Sequence, residues 1–207
     1  MPAVASGATT TIPSPDGRAA RSARTRTAVV EALLALLDES NLRPTAREIA
    51  ARAGVSLRSV YVHFEDLEDL FAEASAHHAR TVLADRHAVD TSLPLDERIA
   101  DAARETARIL EATLSVRRAA SLQEPFSPAL ATTLATTRAV TRKELAHVFA
   151  AELDGLEPEV ARRRLHALCV AASSHSWETL RLHYELPIDD ARDVVADLMA
   201  AILGGSR

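Results

Sequence analysis

The stretch from Thr45 to Phe64, TAREIAARAGVSLRSVYVHF, contains start signals for two helices and a stop signal between them. Thr45 and Glu48 form the capping-box pattern, in which each side chain bonds to the other residue's backbone amide at a helix start. Gly54 can adopt the left-handed conformation that ends a helix, and Ser56 can cap the next helix. The stretch therefore predicts two short helices joined by a tight turn.

Two short helices of this kind form the helix-turn-helix arrangement found in DNA-binding proteins. The small residues Ala50 and Ala53 fall where the helices would cross, and residues 56–59 form the first turn of the second helix. That turn has to offer side chains to base edges in the major groove. An ordinary helical hairpin is the alternative, but it would not need polar side chains such as Tyr61 and His63 outside its packed face.

The rest of the chain also has helical periodicity, and no segment alternates apolar and polar residues as a strand would. A first helix is predicted from Arg18 to the break at 41–44. Later helices are predicted at about 66–87, 95–112, 115–123, 128–153, 158–184 and 189–203. The fold class is therefore all-α, with an N-terminal three-helix domain and a C-terminal helical bundle. Residues 1–17 are predicted to be a flexible tail, 18–65 the helix-turn-helix domain and 66–207 the bundle.

The charge is distributed unevenly along the chain. Residues 18–63 carry eight Arg and four acidic residues, a net +4, whereas residues 64–207 carry 16 basic and 24 acidic residues, a net −8. Phosphates attract local positive charge, and an acidic body is repelled from the duplex. The distribution favours a nucleic-acid contact confined to the head, by which we mean residues 18–65.

Residues 24–71 resemble the DNA-binding domain of the TetR family of tetracycline-repressor-like regulators. The matching positions are Thr45, Ile49, Ala50, Ala53, Gly54, Val55, Ser56, Tyr61, His63 and Phe64. The resemblance implies that Thr45, Tyr61 and His63 contact phosphates, and that Leu57, Arg58 and Ser59 face bases. The full set expected to bind DNA is Arg24, Arg26, Thr45, Ser56, Leu57, Arg58, Ser59, Tyr61 and His63. The family often has lysine where this chain has Leu67, so helix-end amides or the Arg18–Arg26 cluster are expected to replace that phosphate contact.

The resemblance also implies that the bundle holds a pocket for a small-molecule inducer and that its last two long helices form a dimer interface. The residues expected to line the pocket are His78, Leu110, Phe126, Phe149, His175 and Trp177. Two apolar stripes supply the expected interface, namely Val160, Leu168, Ala172, Leu180, Ala191, Val194, Val195, Leu198, Met199 and Ile202. These stripes could instead pack only within their own core.

Together these features predict a cytoplasmic, ligand-responsive transcriptional repressor. We expect it to bind near-palindromic double-stranded operator DNA as a homodimer and to be released by a small molecule. We expect no cofactor, no metal ion and no catalysis. We also expect no membrane association, because the longest apolar runs are far shorter than the roughly 20 residues that span a bilayer.

An all-helical prenyl-diphosphate enzyme is the alternative, because Asp189, Asp190 and Asp193 match a magnesium-binding DDxxD pattern. Acidic residues are also favoured at a helix start, which is the simpler interpretation after Pro187. The eight histidines form no metal-binding motif, and Cys169 is expected to be a small buried hydrophobic residue.

Overall fold

The computed structural model describes residues 15–204, and within that range it contains eleven α-helices and no strand. The helices are α1 (Pro15–Asp38), α2 (Ala46–Ala53), α3 (Leu57–His63), α4 (Leu67–Ala84), α5 (Leu95–Ala112), α6 (Leu114–Gln123), α7 (Pro128–Val148), α8 (Ala150–Leu153), α9 (Pro158–Ala171), α10 (Ser174–Glu178) and α11 (Ile188–Leu203). A 3₁₀ turn (Glu124–Phe126) precedes α7, and a π turn (Thr179–His183) follows α10. The all-α prediction is confirmed, and no helix of this range is long and apolar enough to cross a membrane.

The predicted helix ends agree with the structure where a capping side chain determines them. Asp66 accepts a hydrogen bond at the start of α4, Ser127 does so at the start of α7, and Gly204 ends α11 in the left-handed conformation. The helix predicted at 158–184 is interrupted, because Ser173 accepts a bond from the Ser176 amide (3.1 Å) and starts α10. The helix predicted at 128–153 is likewise divided at Phe149.

The N-terminal helix begins earlier than the sequence pattern suggests. Its first residue is Pro15, so residues 15–17, which were assigned to a flexible tail, belong to α1. Proline is well accommodated in a first helical turn because the missing amide has no partner there. The rest of the predicted tail, residues 1–14, lies outside the described residues.

The head has its own apolar core, which includes the fully buried Leu33, Ile49 and Val60 from α1, α2 and α3. This core also takes in residues from α4 and, through Val116 and Ala119, from α6. The boundary at residue 65 therefore remains a prediction, because the apolar packing of the head continues into the bundle.

The bundle has a second core, and it contains much of the predicted dimer interface. Leu168, Ala172, Ala191, Val195 and Met199 are buried within one protomer. This burial corrects the predicted interface, because the apolar stripe of α11 faces α5 of the same chain rather than a partner. Of the remaining predicted residues, Val160, Leu180, Val194 and Ile202 are partly buried and Leu198 is exposed.

Arg26 on α1 connects this helix to α3 and α4 instead of facing outward. Its Nε donates to Glu73 of α4 (2.9 Å), its Nη2 pairs with the same carboxylate, and its Nη1 donates to the His63 carbonyl at the end of α3. Its guanidinium also lies 4.4 Å from the centre of the Phe64 ring. The expectation that Arg26 binds DNA is therefore corrected, because its donors are already used to hold α3 against α1 and α4.

An ion pair in the bundle has a similar structural role. Arg98 on α5 donates to Glu152 (2.9 Å), to the Val148 carbonyl (2.8 Å) and to the Leu93 carbonyl (2.9 Å). Its side chain is nearly inaccessible to solvent, and bonding to Arg98 lowers the pKa of the Glu152 carboxyl below its usual value. The pair thereby fixes α8 against α5.

We predict that Arg26→Ala lowers the free energy of unfolding by about 1–3 kcal/mol, because it removes a charged bond to a carbonyl, a partly exposed ion pair and a cation–π contact. Urea unfolding measures this. The matched control is Arg24→Ala on the same helix, where the exposed side chain has no partner among residues 17–204; it should change stability by less than about 0.5 kcal/mol. Equal effects of the two variants would contradict the assigned role of Arg26.

We predict that Glu152→Gln lowers the free energy of unfolding by roughly 2–3 kcal/mol at pH 7, because Arg98 remains buried without its counter-charge. The folded pKa of Glu152 lies below its usual 4.5, so its contribution is fully present above about pH 4.5 and is lost as the pH falls through the folded pKa. Unfolding measured from pH 7 to pH 3 should therefore show the two proteins converging in acid. Glu159→Gln, in an exposed pair with Arg162, should cost less than about 0.5 kcal/mol, whereas a Glu152→Gln effect independent of pH would refute the linkage.

Candidate nucleic-acid interface and internal cavity

Helix α3 is held by its ends and by its apolar side. Gly54 has φ 67° at the end of α2, a left-handed value that suits glycine, and the Ser56 hydroxyl accepts from the Ser59 amide (3.1 Å) to start α3. Val60 and Phe64 are buried in the head core. The predicted capping box, glycine turn and serine cap are all confirmed, and together they leave the opposite face of α3 exposed.

The exposed face of α3 presents the residues expected to meet DNA. Arg58 is exposed and its guanidinium has no hydrogen bond or ion pair within residues 17–204. Tyr61 is 51% exposed and the neighbouring Val62, which was not predicted, is 69% exposed. Leu57, the first residue of α3, is 36% exposed. Arg58 can therefore reach a partner outside the chain without breaking any internal contact.

Some residues of the predicted interface are less available. The Ser59 hydroxyl lies 2.8 Å from the Ser56 hydroxyl, so both serine side chains bond within the cap. The Thr45 hydroxyl donates to the Glu48 carboxylate (2.7 Å), and the bonds from Thr45 lower the pKa of that carboxyl. His63 is only partly exposed. Contacts from Ser59 or Thr45 to DNA would require these hydroxyl groups to exchange partners.

Further unpaired arginines lie on α1 and around the start of α2. Six arginines of the head are exposed and have no side-chain partner within residues 17–204, namely Arg18, Arg21, Arg24, Arg43, Arg47 and Arg58. Arg52, by contrast, pairs with Glu39 (2.6 Å), as Arg26 does with Glu73. Sequence reasoning did not select Arg43 and Arg47, although they flank the capping threonine at the start of α2. Free guanidinium groups of this kind can contact DNA phosphates.

The start of α4 does not provide the substitute phosphate site that was expected. Asp66 caps the helix by accepting from the Asp69 amide (2.8 Å), and Glu68 also lies in the first turn. Leu67 packs against the head core. The acidic residues satisfy or shield the terminal amides and would repel a phosphate, so the unpaired arginines are the remaining source of positive charge.

An internal cavity of about 360 Å³ lies in the bundle. Helices α4, α5, α6 and α7 and the junction of α9 with α10 line it, and its size is in the range of small-molecule sites. Three of the residues predicted to line a pocket, His78, Leu110 and His175, lie on its wall. Half of the residues predicted to bind a ligand therefore share one cavity, and its role in ligand binding stays a prediction.

The other three predicted pocket residues lie elsewhere. Phe149 and Trp177 are fully buried in the bundle core, where the Trp177 indole donates to Glu111 (2.8 Å). Phe126 is 74% exposed on the 3₁₀ turn. These three are corrected, because aromatic character does not distinguish a core position or a surface position from a cavity wall.

The cavity wall combines apolar residues with polar groups that sequence reasoning missed. Three threonines spaced four apart on α7, Thr133, Thr137 and Thr141, face it, and each hydroxyl donates to a carbonyl of its own helix. Their spacing was the signal that could have identified them. Cys169 also lines the cavity and is only partly buried, although burial raises the pKa of its thiol.

The acidic start of α11 does not resemble an enzyme's metal site. Asp189 and Asp190 lie in the first turn of the helix, after Pro187, and no side chain caps it. Arg192 pairs with Asp189 (2.5 Å) and with Asp193 (3.1 Å). Among the described residues, no group of three or more His, Cys, Asp or Glu side chains is placed to hold a metal ion. The contacts favour a helix start stabilised by its dipole and by Arg192.

Comparison with known proteins agrees with this geometry. Residues 29–74 match the family model for bacterial regulatory proteins of the tetR family. A crystal structure of a transcriptional regulator from Rhodococcus sp. Rha1 is similar with a TM-score of 0.65 at 21% identity, covering 88% of this chain and 96% of that chain. A structure assigned to the TetR family from Mesorhizobium loti MAFF303099 has a TM-score of 0.63 at 21% identity, covering 89% and 97%.

A TetR transcriptional regulator from Rhodococcus sp. RHA1 is also similar in fold, with a TM-score of 0.50 at 18% identity over 89% of this chain and 97% of that chain. No curated protein sequence matches the chain at a significant level. The matching region of the family model contains α2, α3 and the exposed face with Arg58. The chain is therefore similar to regulators of the tetR family over the head, and it shares a fold with solved transcriptional regulators over most of its length.

Proposed function

We propose that the protein is a ligand-responsive repressor that binds a near-palindromic operator as a homodimer and is released by a small molecule. The observation that carries the DNA-binding part is the unpartnered Arg58 on the exposed face of α3, and further unpaired arginines lie on α1 and around the start of α2. Repression is the usual mode implied by the family resemblance. We propose that it acts in the bacterial cytoplasm, where the chromosome lies, and that it performs no catalysis.

Exposed apolar residues on α9, on α11 and in the connection to α11 support a dimer. Val170 on α9 is 64% exposed and Leu198 on α11 is 43% exposed, and these two helices pack against each other. Tyr184 and Ile188, in the connection to α11 and at its first residue, are exposed as well. A twofold-symmetric contact through this surface would cover the apolar residues of both protomers and place two recognition helices on one duplex.

The position of α6 supports a response to ligand. Val116 lines the cavity and also lies in the head core, while Ser115 donates to Asp38 at the end of α1 (2.6 Å). A molecule in the cavity would therefore contact a helix that packs directly against the head. Such a molecule shifts the equilibrium only if it binds one orientation of α6 better than another.

We predict that selection from random duplexes with the full-length protein enriches a near-palindrome, with half-sites about one DNA turn, roughly 34–36 Å, or a multiple of it apart. Arg58→Ala should relax the choice of base at one position of each half-site, at a cost of about 1–3 kcal/mol against the preferred base. Repeating the selection with the variant measures this change, and titration at several salt concentrations measures the phosphate contribution.

Arg47→Ala is the matched control, because it removes another exposed, unpartnered arginine outside α3. It should weaken binding to all duplexes similarly, without changing the preferred sequence. It should also reduce by about one the slope of the logarithm of the binding constant against the logarithm of the salt concentration. Tyr61→Phe and His63→Ala should also act without regard to sequence if those residues contact phosphates. An unchanged preferred sequence for Arg58→Ala would remove it from base recognition, and failure to enrich any sequence would refute the repressor proposal.

We predict that the purified protein is a dimer and that the double variant Val170→Asp, Leu198→Asp sediments as a folded monomer. The two carboxylates would be buried without partners at the interface, whereas both positions are exposed in one protomer. Analytical ultracentrifugation measures the mass and circular dichroism verifies the fold. Leu122→Asp on α6 is the control, because Leu122 is 42% exposed, close to the 43% of Leu198. A double variant that still dimerises would locate the interface elsewhere.

A further inference from the structure

The cavity wall has one more arginine than it has glutamates, so its charged side chains do not all pair. Arg86 pairs with Glu144, and Arg138 pairs with Glu124 (2.8 Å), so two of the three arginines on the wall have a carboxylate partner. Arg117 on α6 is the third, and its guanidinium has no hydrogen bond or ion pair within residues 17–204. The wall therefore carries one guanidinium group that forms no ion pair with any side chain of the described chain.

The surroundings of Arg117 make this charge costly. Burial lowers the pKa of the Arg117 guanidinium, nearby Arg138 lowers it further, and Glu124 acts in the opposite direction. An arginine remains protonated in proteins, so the cost cannot be avoided by losing the proton. A cation that is removed from water without a partner destabilises the fold, whereas a planar guanidinium offers paired donors to an incoming acid group.

The remaining wall is suited to an apolar molecule. Val82, Leu83, Ile109, Leu110, Leu134 and Val140 supply aliphatic surface around the cavity. Several polar side chains lie among them, and most already have a partner: hydroxyl groups of the wall bond within their own helix or turn at Thr113, Thr133, Thr137, Thr141 and Ser173. The buried Ser75 hydroxyl has no partner in the described part of the chain, and His78 already bonds to the Ala112 carbonyl (2.9 Å). A second acid group would find no further unpaired arginine on this wall, because Arg86 and Arg138 already have carboxylate partners.

We propose that the effector of this protein is an amphipathic organic anion, with one acid group bound by Arg117 and an apolar body held against the aliphatic wall. This assignment rests on the proposed ligand response and specifies the chemistry that the same cavity recognises. The shared feature of such ligands is a single carboxylate or sulfonate on a hydrocarbon or aromatic framework. Because Arg117 lies next to Val116, which belongs to the head core, the anion would be bound by the helix that contacts the head.

Two fluorescent probes with the same aromatic framework test the proposal with the full-length protein. The anion 8-anilinonaphthalene-1-sulfonate has a sulfonate that the neutral N-phenyl-1-naphthylamine lacks. The wild-type protein should bind the anion at one site per chain and at least tenfold more tightly than the neutral probe. Arg117→Met should reduce affinity for the anion at least tenfold and leave affinity for the neutral probe within about twofold, because charged hydrogen bonds account for differences of that size.

Two further variants separate charge from folding. Arg117→Lys keeps the charge but not the paired donors, so its loss of affinity for the anion should be smaller than that of Arg117→Met. Arg118→Met is the matched control on the same helix, because Arg118 pairs with Glu178 (3.1 Å) and does not line the cavity. It should bind both probes as the wild type does. Arg117→Met should melt at or above the wild-type temperature, since it removes an unpaired cation from the wall.

Competition identifies the kind of anion. Decanoate should displace the sulfonate probe, and inorganic phosphate at the same concentration should not, because it has no apolar body. Equal affinity of the wild type for the two probes, or unchanged binding of the anion to Arg117→Met, would overturn the proposal. Displacement by phosphate equal to that by decanoate would also overturn it.

Operator binding is measured separately, so the two proposals can fail independently. Decanoate should release the selected DNA from the wild type, and at least tenfold more should be needed to release it from Arg117→Met. Failure of the wild type to bind either probe would overturn the anion assignment and the ligand response while leaving DNA recognition intact. Normal probe binding by a protein that enriches no DNA sequence would refute the repressor proposal alone.

Discussion

The packing of α6 into the head core is the contact on which the rest of this structure depends. Val116 and Ala119 lie among the apolar residues of α1, α3 and α4, while Arg117 and Ser121 of the same helix face the cavity. Close-packed interfaces tend to have discrete alternative arrangements rather than to deform continuously. A change at the cavity wall would therefore reach the head as a change in helix orientation, and the Arg26 contacts with Glu73 and the His63 carbonyl would carry it to α3 as a unit.

The helix-turn-helix could be predicted from sequence because short-range hydrogen bonds determine it. The helix ends are determined by the Thr45–Glu48 capping box, by the left-handed Gly54 and by the Ser56 cap. Each of these involves backbone groups only a few residues away, so its effect does not depend on distant packing. The same reasoning located the starts of α4 and α7 and the end of α11. It missed the interruption at Ser173, because a continuous apolar period on either side concealed a serine that caps a new helix.

Long-range partners could not be predicted in the same way. An apolar stripe on α11 shows which side chains avoid water, but it does not show whether they meet their own chain or another copy. Val195 and Leu198 are three residues apart, yet the first is buried in the bundle and the second is exposed. The cavity raised the same difficulty: Trp177 and Phe149 fill the core, and the wall is built instead from aliphatic residues, threonines and arginines whose common location only the tertiary structure shows.

The threonine row of α7 gives the cavity a stiff wall. β-Branched side chains have few accessible rotamers in a helix, and the hydroxyl groups of Thr133, Thr137 and Thr141 are each tethered to a carbonyl one turn earlier. Such residues lose little conformational entropy when a molecule settles against them. This side of the cavity is therefore preorganised. A molecule that binds there would have to match the shape of this side, and any adaptation to the molecule would come from the opposite wall.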